Sequence, residues 1–201
     1  MNAQQPFAEV IESSLTIWRA QTWQWDNFPS FGSLVTLETE TRVLFGLVYF
    51  IQTGSLDPSR TAYAYKKTEA ELKRDQPQIF EFLHTTFSCL TIGYLEKDKL
   101  LYQLAPEPPK IHAFVCHANH QQIVQFFSHE HYLHILFEFS HHLFSLDELL
   151  LALLKNLSDN NALTQENLSK FIETFSLLTA NDYRRLKLFL QRAHTIIKLT
   201  D

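Results

Sequence analysis

The chain has 201 residues, 45% hydrophobic and 19% charged, a balance ordinary for a folded soluble protein. Its formal charge of −5 argues against general nucleic-acid affinity, which needs a basic surface. The longest aliphatic run, Leu149 to Leu154, is far short of the roughly 20 residues that span a membrane.

The length allows one large domain or two small ones. Seventeen phenylalanines and only four glycines predict an aromatic core and few glycine-dependent loops. Cys89 and Cys116 are the only cysteines; they form no C-x-x-C pair and no disulfide scaffold. A reducing cytoplasm is the expected setting. The first residues show no basic stretch followed by an apolar run, so no secretory signal is expected.

Residues 7–55 read as strands. Val10, Leu15, Ile17 and Trp18 sit among Thr, Ser and Gln, a β-favouring mixture. Leu34 to Thr39 alternates in part, Glu40 and Thr41 suit a turn, and Arg42 to Gln52 is the strongest strand. Gly46 inside it marks a bulge or sharp bend, of the kind small barrels need at corners. Thr53 to Ser59 reads as a turn cluster. Thr68-Glu69-Ala70-Glu71 fits a capping box opening a short helix to about Arg74. Pro77 suits the first turn of a second helix, with Ile79, Phe80 and Leu83 as its apolar face.

Phe87 to Leu95 returns to strand character. Glu96 to Lys99 is a charged hairpin turn, and Leu100 to Leu104 pairs back. Pro106, Pro108 and Pro109 break regular structure, and Ile111 to Val115 reads as a last strand. From Asn119 the pattern is helical. Ser145 to Glu148 is a second capping box, Asp159-Asn160-Asn161 a break, and Leu168, Phe171, Ile172, Phe175 and Leu178 follow helical spacing. Tyr183, Leu186, Phe189, Leu190 and Ala193 repeat that spacing after a start at Thr179 to Asp182.

Phe31-Gly32-Ser33-Leu34-Val35, Phe45-Gly46-Leu47-Val48-Tyr49 and the segment from Thr53 to Arg60 resemble the HerA/ATP-synthase barrel family, the HAS barrel. The likeness continues through Glu71-Leu72, Gln76 to Phe80 and Gly93-Tyr94, and ends at Pro106 to Val115. It covers about half of the chain and is nearest to short stand-alone bacterial members. The resemblance implies a six-stranded antiparallel barrel, which in this family normally crowns a hexameric ATPase and contacts partner proteins. No motor accompanies it here. A Walker A loop needs G-x-x-x-x-G-K-[ST], and the sequence holds no Gly-Lys pair. ATPase activity is therefore not carried over, and no catalytic residue is assigned.

The expected fold is α+β. A HAS-like barrel spans 1–112 with a helical insertion near 68–84, and a helical region spans 113–201. Gly32, Gly46, Gly54 and Pro77 are expected to be architectural. The expected role is a non-enzymatic assembly or adaptor protein with no cofactor. Its barrel would contact a protein partner such as an oligomeric ATPase, or a second copy, through an apolar or edge surface. The helical faces at 168–178 and 183–193 pack on the protein itself by default, or else bind a partner helix.

Two alternatives rest on side-chain chemistry. Arg60, Lys66, Lys67, Lys73 and Arg74 lie near Tyr63 and Tyr65, a mixture that can grip phosphates and stack bases. The plainer reading is a solvated charged helix beside a barrel loop, which the acidic chain favours. His112, His117, His120, His129, His131, His134, His141 and His142 crowd one stretch with Cys116, and imidazole and thiolate are natural zinc ligands. His131 and His134 are spaced to share a helix face, as are His117 and His120. No H-E-x-x-H pattern accompanies them, so histidines on helical edges are the plainer reading. No G-x-S-x-G motif points to a nucleophile. Asp57 suits a turn and Glu71 a cap rather than catalysis. Trp18, Trp23 and Trp25 lie in one early strand region, where packing in core or rim is favoured over a binding face.

Overall fold

A computed structural model describes residues 5–56 and 64–197. Seven strands form one antiparallel sheet: β1 (Ala8–Ser13), β2 (Ile17–Thr22), β3 (Leu34–Glu38), β4 (Arg42–Ser55), β5 (Leu83–Glu96), β6 (Lys99–Leu101) and β7 (Phe114–His117). Around the ring β1 pairs β2, β2 pairs β5, β5 pairs β4, β4 pairs β3, β3 pairs β7, and β7 returns to β1. The result is a closed six-stranded barrel, with β6 added as a hairpin arm on β5. Closure removes most of the open strand edges through which sheets add neighbours; among the described residues β6 and the Phe50–Ser55 half of β4 each have a strand on one side only.

Three register shifts bend the strands around the ring. Val10 pairs Ala20 while Glu12 pairs Arg19, leaving Ile11 extra. Val48 pairs Cys89 while Phe50 pairs Ser88, leaving Tyr49 extra. The bulge expected at Gly46 is present, but its extra residue sits on the partner strand. Phe45 pairs Gly93 and Gly46 pairs Thr91, so Ile92 is the unmatched position.

Side chains alternate across the wall, as a pleated strand requires. Val35, Leu37, Leu44, Val48, Phe87, Cys89 and Tyr94 fill the interior with Phe7, Val10, Trp18 and Val115. Leu34, Phe45, Leu47, Leu90 and Ile92 point outward and join a second core shared with the helices. Those helices are α3 (His120–Phe126), α4 (Tyr132–Glu138), α5 (Leu146–Asp159), α6 (Gln165–Leu178) and α7 (Tyr183–His194), with a 3₁₀ turn at Ser140–His142; the two short helices of the insertion, α1 (Glu69–Asp75) and α2 (Gln78–Glu81), precede them. Leu149, Leu150, Leu153 and Leu154 of α5 are all buried. Each such leucine contributes about 1.5–3 kcal/mol. Phe175 stacks on Phe171 at 6.0 Å and on Phe189 at 4.6 Å, so α6 and α7 bury the centres of their apolar faces within the protein, while Tyr183 at the start of α7 stays exposed.

The caps carry the local signals. Thr68 and Glu71 close both halves of the box that opens α1. Asn119 and Gln122 form a second full box, at α3, that the helical pattern of the sequence did not single out. At α5 the Ser145 side chain accepts from the Glu148 amide, while the Glu148 carboxylate accepts from Arg192 at 2.6 Å. Lys97 and Asp98 both take positive φ in the tight β5–β6 turn.

Four boundaries move. Thr53, Gly54 and Ser55 belong to β4, paired with Thr85, His84 and Leu83, rather than to a turn. Leu83 accordingly opens a strand, and α2 stops at Glu81. The returning strand ends at Leu101 rather than Leu104. The last strand lies at Phe114–His117, because Lys110 and Ala113 are joined across a turn with His112 at positive φ. The strand that closes the barrel therefore lies beyond residue 112.

Candidate functional site

Strands β3, β4 and β5 carry the helices on their outer side. Among the described residues, β1, β2 and β7 contribute nothing to the core shared with those helices. That bare wall carries an aromatic pair. Glu9 is the register partner of Phe114, and Trp23 directly follows β2, its amide donating to the Phe7 carbonyl at 3.0 Å. The two rings meet edge to face with centroids 5.5 Å apart. They remain 53% and 54% exposed, so the contact does not bury them.

The Glu9 carboxylate joins the pair to its surroundings. It accepts from Trp23 Nε1 at 3.2 Å and lies 3.2 Å from His112 Nδ1. Arg19 pairs with Glu12 on the neighbouring strands. The patch thus has an apolar centre and a rim of both charge signs.

The three tryptophans separate. Trp18 is in the barrel interior, Trp25 stacks on Phe80 of the insertion at 5.7 Å, and Trp23 stands outside. Trp18 is packed in the core and Trp25 against the insertion, while Trp23 packs at the rim with about half of its surface exposed. No local pattern signals the Phe114 contact, because its partner lies 91 positions earlier in the chain.

Of the basic segment, Arg60 and Tyr63 lie outside the described residues, as does Asp57. Lys67 pairs with Asp75 at 2.9 Å, Lys73 with Glu69 at 2.7 Å, and Arg74 with Asp75 at 2.8 Å. Lys66 takes a left-handed turn conformation ahead of the helix. Arg74 and Lys67 hold the Asp75 carboxyl below its ordinary value, and Glu69 raises the Lys73 ammonium. Thr68 likewise holds Glu71 low, in keeping with a cap. Lys73 also sits 5.5 Å from the centre of the Phe80 ring. Three of the candidate cations thus face this segment's own acids.

The histidines disperse over several elements. His117 ends β7 and His120 opens α3, so they do not share a helix face. His117 instead stacks on Phe7 at 4.1 Å, and desolvation lowers its basicity. His131 and His134 do line one crevice, of about 350 Å³, with Tyr102, Gln103 and Glu138. Burial pushes the Tyr102 hydroxyl up to about 12. Among the described residues no three His, Cys, Asp or Glu side chains converge to hold a metal ion. Burial raises both the Cys89 and Cys116 thiols, the opposite of nucleophile activation.

Gly32 has φ of +75°, and a Cβ there would meet Ala152 and Leu153 of α5 within 2.9 Å. Gly46 faces the Trp18 indole. A Cβ at Gly54 would meet nothing within 4 Å, so crowding does not require glycine there. Pro77 caps α2 with φ of −58°. No helix among the described residues is long and apolar enough to cross a membrane. No protein-family model and no curated protein matches the chain.

Proposed function

We propose that this chain is a non-enzymatic assembly or adaptor module with a barrel of the HerA/ATP-synthase kind. Its barrel contacts a protein partner, such as an oligomeric ATPase, through Trp23 and Phe114. The observation that carries this reading is the exposed aromatic pair on the wall that the helices leave bare. Exposed aromatic side chains ringed by polar groups are the usual anchors of protein interfaces. The mixed-sign rim at Glu9, Glu12, Arg19 and His112 favours a protein over a polyanion.

The nucleic-acid alternative is weakened by the ion pairs at Lys67, Lys73 and Arg74. The metal-enzyme alternative is weakened by the dispersal of the histidines.

The test is affinity capture from native extract with the wild-type chain and with Trp23→Ala/Phe114→Glu. A specific partner held by the wild type and lost by the correctly folded variant supports the assignment. Identical capture by both, or none by either, overturns it.

A further inference from the structure

We propose that the cavity between the 28–33 loop, α3 and α5 binds a small uncharged ligand rich in hydroxyl groups, of the polyol or sugar class. This site lies apart from the aromatic patch and does not depend on the adaptor reading.

The cavity has a volume of about 240 Å³. That is room for roughly eight water molecules at about 30 Å³ each. Leu34, Ile123, Phe127, Leu153 and Leu157 make its apolar wall, and Phe28 stands at the edge. The polar lining is Ser30, Ser33, His117, Asn156 and Asn160. Among the described residues that lining contains no Asp, Glu, Lys or Arg. His117, its one titratable side chain, is biased toward the neutral form by desolvation. A charged ligand would lose its hydration here without gaining a counter-charge, which is strongly unfavourable.

Hydrogen-bond accounting sets the polarity of the ligand. Asn156 Nδ2 donates to the Phe31 and Ala152 carbonyls, each at 2.9 Å. Asn160 Nδ2 donates to the Asn156 carbonyl at 2.7 Å, and Ser33 Oγ donates to the Ser30 carbonyl at 2.7 Å. Four backbone donors of the lining are committed as well. Gly32 donates to Val48 at 2.8 Å, Ser33 to Ser30 at 3.1 Å, Ala118 to Leu34 at 3.2 Å and Asn160 to Asn156 at 3.1 Å. These residues retain capacity of both kinds: the amide oxygens of Asn156 and Asn160 and the lone pairs of Ser33 Oγ can accept, while the second Asn160 Nδ2 hydrogen and the Ser30 hydroxyl can donate. A wall of this kind suits a ligand whose groups both donate and accept, as hydroxyls do. The apolar side chains match the C–H face of a cyclic polyol.

Three sugars of one ring shape test the assignment: D-glucose, D-glucosamine and D-glucuronate, followed by saturation-transfer NMR and calorimetry. Glucose is expected to bind, with glucosamine and glucuronate weaker by about tenfold or more. Ala118→Phe fills the cavity without removing any of these donor or acceptor side chains and is expected to abolish glucose binding. Asn160→Asp places a carboxylate at the cavity and is expected to turn the preference to glucosamine. This second variant serves if the first fails to fold. No binding of glucose, binding unchanged by Ala118→Phe in a folded variant, an unaltered preference in Asn160→Asp, or equal binding of glucuronate overturns the proposal.

Discussion

The indole of Trp18 occupies the space that a side chain at Gly46 would need. A Cβ on residue 46 would overlap ring atom Cζ2 and lie 3.1 Å from both Cε2 and the Cys89 Cβ. Trp18 pairs with Cys89, and Gly46 lies across the barrel wall beside the Ile92 bulge. The largest interior side chain and the bare backbone position are therefore one packing unit.

Gly46→Ala is expected to destabilise the protein by about 1–3 kcal/mol through overpacking. Trp18→Phe removes the colliding part of the ring, and also a buried Nε1 that has no hydrogen-bond partner among the described residues. In the Gly46→Ala background it should cost less than in the wild type. A urea-denaturation double-mutant cycle reads that coupling, and strict additivity would refute the packing unit.

Gly32 ties the loop before β3 to α5. Its positive φ and its close approach to Ala152 both oppose a side chain. Gly32→Ala is expected to lose about 1–3 kcal/mol or more. Hydrogen exchange should then show faster opening of α5 than of the barrel strands.

Trp23 and Phe114 touch each other on the outer wall, and the Trp23 N–H reaches Glu9, with about half of each ring's surface exposed. Trp23→Ala and Phe114→Ala should each change stability by about 0.5 kcal/mol or less, as exposed substitutions do. Thermal unfolding measures this. A loss of several kcal/mol would make the pair structural rather than a contact surface.

His117 has a folded pKa below its ordinary value because of desolvation. The unfolded chain therefore binds its proton more readily. Stability from the neutral ring is fully present above about pH 6.5 and is lost as the pH falls toward the folded value. His117→Phe keeps a ring against Phe7 and should flatten that part of the stability-against-pH profile. Urea midpoints at pH 7.5, 6.5 and 5.5 for both proteins test the sign.

Lys67, Lys73 and Arg74 hold acids of their own segment. Their replacement by Ala should leave retention on a DNA column at low salt unchanged and weak. Strong wild-type retention that these changes abolish would restore the nucleic-acid reading.

Much of the fold was legible locally. Strand alternation around Arg42–Gln52, the Thr68–Glu71 box, the Lys97-Asp98 turn and the heptad-like apolar spacing of α6 are short-range signals, each within a few residues. The aromatic site was legible only in composition. Three tryptophans and seventeen phenylalanines are visible in the sequence, but the side of the wall each one takes is not. Extra residues at Ile11, Tyr49 and Ile92 shift the phase of the alternation, and a one-residue shift exchanges inside for outside.

By itself the sequence determined that the chain alternates strands with a short helical insertion and then turns helical, and that it holds no Walker loop. Periodicity, caps and turns are set by neighbouring residues. Only the tertiary structure decided that Ile17 meets Leu90 and Ala8 meets Val115, the pairings that close the ring. It likewise decided that the helices cover β3, β4 and β5 and leave Trp23 beside Phe114. Those contacts join positions tens of residues apart, and they form because burying both faces of the long strands outweighs the entropy of closing such loops.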